Sequence, residues 1–199
     1  MSAAVYDAVV WALAFALCVP GLATRPGRGV TALVGAALLL HLPVAGTTAL
    51  AVLRGMFATP AVTTLIVLAV LFAARCAQRP LFARGEALLM AGVAAAVGIL
   101  IYPLALGLGP LDPYAWGYGG AGLALGTGAL TLLCGLAGRW VLAAALALGL
   151  VMWRLQALES PNLWDYLIDP LFSLGGLIAL LATALAGARA RRTLRSVQA

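Results

Sequence analysis

Apolar residues along the chain fall into seven long segments separated by short polar connections. The segments cover about residues 5–23, 30–53, 60–74, 87–109, 120–138, 140–158 and 170–188. Crossing a bilayer as an α-helix takes about 20 consecutive apolar residues, and most of these segments come close to that length. The chain has 199 residues, so little is left for a domain outside the membrane. The pattern predicts an all-α integral membrane protein: a single domain over 1–199, built as a polytopic bundle of about seven transmembrane helices.

The count of seven depends on the junction between the fifth and sixth segments, where only Gly138, Arg139 and Trp140 separate two apolar runs. A tight hairpin at Arg139 gives seven crossings, whereas one long helix through Arg139 gives six. The long helix would hold about 38 apolar residues, far more than a tilted crossing needs. Seven crossings are therefore favoured, although the sequence leaves both arrangements open.

The arginines predict the orientation of the chain in the membrane. Loops that remain in the cytoplasm are enriched in Lys and Arg, and this chain contains no lysine. Ten of the 12 basic residues occupy alternate connections and the tail: Arg25, Arg28, Arg75, Arg79, Arg84, Arg139, Arg189, Arg191, Arg192 and Arg195. Five of the six carboxylates lie on the opposite side. We therefore predict an external amino terminus, a basic cytoplasmic tail over 189–199 and a place in the bacterial inner membrane.

Composition agrees with a chain that is solvated mainly by lipid. Hydrophobic residues make up 64% of the chain, charged residues 9%, and the mean hydropathy is +1.09. Soluble domains contain about 45–50% apolar and about 25% charged residues. The positive charge is divided into small clusters without the continuous basic face that binds nucleic acid, and Cys and His show no metal-ligand spacing. The lipid bilayer is thus the expected partner, with no nucleic acid, metal or cofactor.

Prolines mark expected helix starts and bends. Thr59–Pro60 and Asp169–Pro170 each place a capping side chain directly before a proline at the first helical position. Both pairs predict helices that start on the outer side. Pro43 and Pro103 lie inside the second and fourth segments, so we expect them to kink those helices.

The polar stretch ESPNLWDYLIDP, residues 159–170, lies between two apolar segments. Ser160 followed by Pro161 predicts a short interfacial helix before the last crossing. Its apolar side chains are expected to face lipid: Leu163, Trp164, Leu167 and Ile168. Aromatic residues prefer the level of the lipid headgroups, which predicts a belt on the outer side: Tyr114, Trp116, Tyr118, Trp164 and Tyr166.

Two arginines oppose the charge bias of their side and are the main candidates for function. Arg54 and Arg154 lie on the predicted outer side, and Arg154 falls within an apolar run. An unpaired guanidinium there is costly, so Arg154 must form a salt bridge, reach the interface or bind a ligand. The functional hypothesis is that both arginines hold an anionic headgroup while Glu159 or Asp165 acts as the catalytic acid or base.

Other polar residues complete the set of candidates. Asp112 and Tyr114 belong to an outer connection, and Trp164 belongs to the stretch before the last segment. Asp112 precedes Pro113, which favours a turn. His41 is the only histidine, near the middle of the second segment. It can either line the path of a transported ion or solute or donate to a backbone carbonyl of a neighbouring helix.

Small residues recur at a spacing of four in two segments. The stripes are Gly175, Ala179, Thr183 and Gly187 in the last segment and Gly122 with Gly126 in the fifth. Such stripes allow helix backbones to approach closely in lipid. Packing within the bundle is the favoured use, and a contact with another membrane subunit is the alternative.

Three functions are compatible with these features. The favoured one is an assisting subunit of an envelope complex that processes lipid or glycan at the outer face of the membrane, because the small bundle has no clear catalytic set. The second is a membrane enzyme that acts on a phospholipid or polyprenyl-phosphate headgroup through the residues named above. The third is a transporter of ions or small solutes, with His41 on its path.

Overall fold

The computed structural model describes residues 3–19, 21, 25–119 and 121–198. Within them the chain is all-helical, apart from one short hairpin. The nine helices are α1 Ala3–Cys18, α2 Pro26–Leu40, α3 Ala49–Phe57, α4 Val62–Ala77, α5 Glu86–Ala105, α6 Ala121–Leu136, α7 Trp140–Arg154, α8 Trp164–Leu167 and α9 Pro170–Gln198. The hairpin pairs β1 Pro43–Val44 with β2 Thr47–Thr48, and a 3-10 turn covers Pro113–Gly117.

Two of the described helices are long and apolar enough to cross a membrane. They are α5 and the Pro170–Arg191 part of α9. Only 11% of an 18-residue apolar stretch of α9 is buried inside the protein, whereas the core helix of a soluble protein is mostly buried. The other apolar helices, α1, α2, α4, α6 and α7, have 15 or 16 residues. At 1.5 Å per residue these span about 22–24 Å, less than the roughly 30 Å hydrocarbon core, so length alone supports two crossings.

The second apolar segment is not one helix, contrary to the prediction for 30–53. Helix α2 ends at Leu40 and α3 begins at Ala49, with the hairpin between them. Pro43 removes a helical N–H, and Ala45 and Gly46 both have positive φ and close the hairpin. Pro43 therefore interrupts the helix rather than kinking it. Pro103, in contrast, lies inside α5 as predicted.

The fifth and sixth segments form two helices joined by a tight hairpin. Gly138 adopts φ +69°, and the Arg139 N–H donates to the Cys134 carbonyl at 2.8 Å, the arrangement that ends a helix in a Schellman motif. The buried carboxylate of Glu86, at the start of α5, accepts from the Leu142 N–H at 3.0 Å and so caps α7. The arrangement with one long helix through Arg139 is thereby excluded.

Asp169 caps two helices at once. Its Oδ1 accepts from the Phe172 N–H at 2.7 Å in the first turn of α9, which confirms the predicted cap. Its Oδ2 accepts from the Ala61 N–H at 2.6 Å and from the Thr64 hydroxyl. The start predicted at Thr59–Pro60 is therefore displaced: α4 begins at Val62, and the side chain that holds its first turn comes from a residue far away in the sequence.

Close packing of α5 on α9 depends on Gly176 rather than on the predicted stripe. A Cβ at Gly176 would lie 2.5 Å from the Ala91 carbonyl oxygen, whereas one at Gly175 would meet nothing within 4 Å. The four stripe residues of α9 are exposed, so their expected packing within the bundle is not observed. Gly122 and Gly126 of α6 are also exposed, and they line a groove described below.

We expect Gly176→Ala to destabilise the protein by about 1–3 kcal/mol, because the backbones of α5 and α9 must move apart. Gly175→Ala provides the matched control on the same helix. Because alanine has a higher helix propensity than glycine, this change should leave stability unchanged or raise it by up to about 1 kcal/mol. Denaturant unfolding in detergent micelles, followed by circular dichroism, measures both variants. Equal stabilities of the two variants would contradict this packing.

Candidate functional site

A polar cavity of about 790 Å³ lies at the end of the bundle where α3 and α5 terminate and α9 begins. Its lining includes four of the predicted candidates: Arg54, Tyr114, Glu159 and Asp165. Tyr102 and Asp169 also line it. Residues from four separate parts of the chain therefore meet at this cavity, which makes it the candidate site.

Arg54 connects two carboxylates across the cavity. Its Nη2 donates to Glu159 Oε1 at 2.6 Å, and its Nε lies 3.3 Å from Asp7 Oδ2. The Asp7 side chain is fully buried, whereas that of Glu159 is 73% exposed. A buried carboxylate is stable only when its charge is compensated. Arg54 thus neutralises Asp7 of α1 and joins it to the connection after α7.

Asp165 interacts with the phenol of Tyr114. The Tyr114 hydroxyl lies 2.8 and 2.9 Å from the two Asp165 carboxylate oxygens, to which it donates. Burial, and after it the contact with Asp165, raises the pKa of Tyr114 above its ordinary value, so the hydroxyl keeps its proton at neutral pH. Both ion pairs found among the described residues belong to Arg54. The Asp165 carboxylate is therefore held by a neutral donor only.

Asp169 lies deeper in the cavity wall and serves the fold. Burial raises the pKa of the Asp169 carboxyl, while its hydrogen bonds with Thr64, Phe172 and Ala61 act in the opposite direction. All of these donors belong to helix starts. Asp169 is thus engaged by the two helices that it caps.

The connection that precedes α6 and the one that precedes α8 are joined by Asn162, a residue that the sequence did not single out. Asn162 is fully buried; its Nδ2 donates to the Tyr114 carbonyl at 3.0 Å and its Oδ1 accepts from the Trp164 N–H at 2.9 Å. Gly117 allows this approach, since a Cβ there would lie 1.7 Å from the Asn162 oxygen. Asn directly before a short helix is a capping signal, but nothing in the sequence indicates its long-range contact.

Two further candidates, Asp112 and Trp164, support the same junction. Asp112 Oδ1 accepts from the Tyr114 and Ala115 N–H groups at 3.1 and 3.2 Å and caps the 3-10 turn. The indole N–H of Trp164 donates to the Pro113 carbonyl at 2.9 Å. Both residues position the wall of the cavity and are not among its lining residues.

The helix expected at the lipid interface lies in the core instead. The short helix α8 is present, but Leu163, Leu167 and Ile168 are buried, so the prediction that they face lipid is wrong. Gly149 of α7 explains the close approach, since a Cβ there would lie 2.9 Å from Leu167 Cδ2. Tyr166 is fully buried and accepts from the Leu158 N–H at 3.1 Å, so it is not a belt residue.

Arg154 and His41 lie away from the cavity. Arg154 is exposed, its guanidinium lies 5.8 Å from the Trp153 ring centroid, and no described carboxylate forms an ion pair with it. His41 follows α2 directly, is exposed, and has its Nδ1 2.8 Å from the Ala37 carbonyl oxygen. Of the two arginines, only Arg54 lines the cavity, and the His41 side chain is engaged by its own helix.

The chemistry available in the cavity is that of carboxylates, phenols, the hydroxyls of Thr59 and Ser160, and one paired guanidinium. Among the described residues no group of three or more His, Cys, Asp or Glu side chains is arranged to hold a metal ion. Comparison with protein-family models, curated proteins and solved structures gave no match. The function is therefore inferred from the geometry alone.

Proposed function

We propose that the protein is a seven-span protein of the bacterial inner membrane whose amino terminus and polar cavity face outward. The crossings are α1, α2 together with α3, α4, α5, α6, α7 and α9. A bundle of helices shorter than the average hydrocarbon core is accommodated by local thinning of the bilayer. The many exposed large apolar side chains on these helices suit contact with lipid.

Hydrogen bonds between helix ends support this topology. The starts of α4 and α9 share the cap Asp169, and the Tyr6 hydroxyl near the start of α1 donates to the Pro60 carbonyl just before α4. Glu86, the first residue of α5, caps the start of α7 and so ties these two helix starts together. An up-and-down bundle of seven crossings puts the starts of α1, α4 and α9 on one side and those of α5 and α7 on the other.

For the activity, we propose an assisting, non-catalytic subunit of an envelope complex that processes lipid or glycan at the outer face. The observation that carries this proposal is the engagement of three of the cavity's four charged groups in the fold: Arg54 and Glu159 with each other, and Asp169 by two helix starts. A catalytic acid, base or phosphate-binding fork needs groups that are free to act on a substrate.

The two other functions receive less support. A lipid-active enzyme was expected to use Arg54 and Arg154 together, and only Arg54 lines the cavity. A transporter was expected to use His41 on an internal path, and His41 is exposed next to the hairpin. The exposed stripe on α9 suits a contact with a partner helix in lipid.

Cross-linking in intact cells, followed by affinity capture in mild detergent, tests the proposed subunit. We expect the chain to be recovered with a larger membrane protein that acts on lipid or glycan. Gly175→Leu on the exposed stripe should lower recovery about tenfold, which corresponds to about 1.4 kcal/mol of association free energy. Gly92→Leu is the matched control, since a side chain there also enters open space. A monomeric protein that converts a lipid by itself would contradict the proposal.

A further inference from the structure

A second cavity, of about 640 Å³, forms an apolar groove between α5 and α6. Helix α5 packs chiefly against α9, and α6 packs against α7 and the 3-10 turn, so a gap remains between α5 and α6 with α7 as its floor. Gly122 and Gly126 face this gap, and a Cβ at either position would meet nothing within 4 Å. Trp116 and Trp164 also line the groove.

The apolar lining of the groove suits a hydrocarbon chain. Its two threonines are already satisfied: the Thr63 hydroxyl donates to the Leu167 carbonyl at 2.7 Å and the Thr127 hydroxyl to the Leu123 carbonyl at 2.8 Å. The α6 wall rises about 12 Å from Gly122 to Leu130, and the lining continues to Leu142 in the first turn of α7, so the groove runs along most of the bundle. The occupant therefore needs no hydrogen-bonding groups along this length.

The dimensions distinguish a lipid chain from a partner helix. Over at least the length of the α6 wall, the volume of about 640 Å³ leaves a cross-section of at most roughly 50 Å². A helix about 10 Å in diameter occupies roughly 80 Å², so a helix of another subunit would lie across the mouth of the groove and would not fill its depth. A single acyl or prenyl chain is narrower and fits it.

The groove and the polar cavity share part of their walls. Ile168 lines both spaces, and Trp164 of the groove is followed directly by Asp165 of the cavity. Three carboxyl groups and one guanidinium line the cavity, and the guanidinium is bound by Asp7 and Glu159. Asp165 is half-buried and, among the described side chains, is held by the neutral Tyr114 phenol. Charge complementarity therefore favours a cationic head group.

We propose that the groove and the cavity together bind one membrane lipid with a positively charged amine in its head group, its hydrocarbon chain between α5 and α6 and its ammonium at Asp165. This inference deepens the proposed function, on which it rests for the outward position of the polar cavity. A carboxylate next to aromatic rings is a favourable site for an ammonium ion. The assisting subunit would then hold an amine-bearing lipid for its complex.

Native mass spectrometry of the purified protein in detergent tests this binding without any partner. The probes are phosphatidylethanolamine and phosphatidylglycerol with the same acyl chains, because both carry a phosphate and only the first carries an amine. We expect phosphatidylethanolamine to bind about tenfold more tightly, with no competition from free ethanolamine, because the chain in the groove supplies much of the binding free energy.

Variants separate the two halves of the site. Gly126→Leu should fill the groove and weaken binding of phosphatidylethanolamine about tenfold, while Gly128→Leu, on the same helix with open space and outside the groove lining, should not. Asp165→Asn should abolish the preference for the amine while the chain still binds. Gly122→Leu replaces Gly126→Leu if the latter lacks a cooperative unfolding transition.

Equal binding of the two lipids by the wild type would overturn the proposal, and so would equal binding by the Gly126→Leu and Gly128→Leu variants. Because the protein is tested alone, such a result would leave its capture with a partner untouched. Loss of the partner with retained lipid selectivity would instead overturn the assisting function. The two failures are therefore distinguishable.

Discussion

Replacing Arg54 by Gln is expected to lower the free energy of unfolding by about 2–4 kcal/mol, less than the cost of breaking a fully buried ion pair, because the Arg54 side chain is 33% exposed. Gln at this position leaves the fully buried Asp7 carboxylate without its counter-charge and breaks the bond to Glu159. We expect a loss of stability rather than of a catalytic step, because Arg54 is bound by two carboxylates of the fold. Unfolding by denaturant in detergent micelles measures it.

Arg154→Gln is the matched control, since Arg154 is the other arginine on the proposed outer side and no described carboxylate forms an ion pair with it. Its effect should stay within about 0.5 kcal/mol. The double variant Asp7→Asn with Arg54→Gln should recover much of the lost stability, because the buried charge is then removed as well. Similar losses for Arg54→Gln and Arg154→Gln would show that Arg54 has no special role.

Removal of the Asp169 carboxylate is expected to have a comparable effect. Asp169→Ala leaves the Ala61 N–H, the Thr64 hydroxyl and the Phe172 N–H without their acceptor. Each unsatisfied buried donor costs about 1–3 kcal/mol, so the total should be about 3–5 kcal/mol once part of the structure relaxes. Thermal unfolding of the detergent-solubilised protein is the measurement.

Two comparisons define the role of Asp169 as a double cap. Asp169→Asn keeps one carbonyl oxygen and should lose roughly half as much stability, because that oxygen can serve only one of the two helix starts. Asp112→Ala removes the exposed cap of the 3-10 turn and should cost about 0.5–1 kcal/mol. If Asp169→Ala lost no more stability than Asp112→Ala, the cap shared by α4 and α9 would contribute no additional stability.

Local signals predicted much of the helical organisation. The proline pattern and the cap at Asp169–Pro170 placed the start of α9 correctly, because a capping side chain and a fixed φ act within one turn. Apolar runs located most helices because lipid and protein interiors select the same residues. The break at 41–48 was missed, since one proline in an apolar run is compatible with either a kink or an interruption.

The candidate site was predictable only in part, because its contacts join residues far apart in the sequence. Charge bias identified Arg54 as unusual, but its pairing with Asp7 and Glu159 depends on tertiary structure. The burial of Tyr166 was missed because a Tyr at headgroup level and a Tyr in the core look alike in sequence. The space above Gly149, which accommodates Leu167, is likewise visible only in the fold.

Site-directed labelling of single cysteines tests most directly the central claim, a membrane protein in which α5 crosses the bilayer and the polar cavity faces outward. In a background without Cys18, Cys76 and Cys134, the matched substitutions are Leu111→Cys, in the connection after α5, and Leu81→Cys, in the connection after α4. Both leucines are exposed. In spheroplasts, a membrane-impermeant maleimide should label Leu111→Cys at once and Leu81→Cys only after lysis. Labelling of Leu81→Cys before lysis, or recovery of the protein in the soluble fraction, would contradict the account.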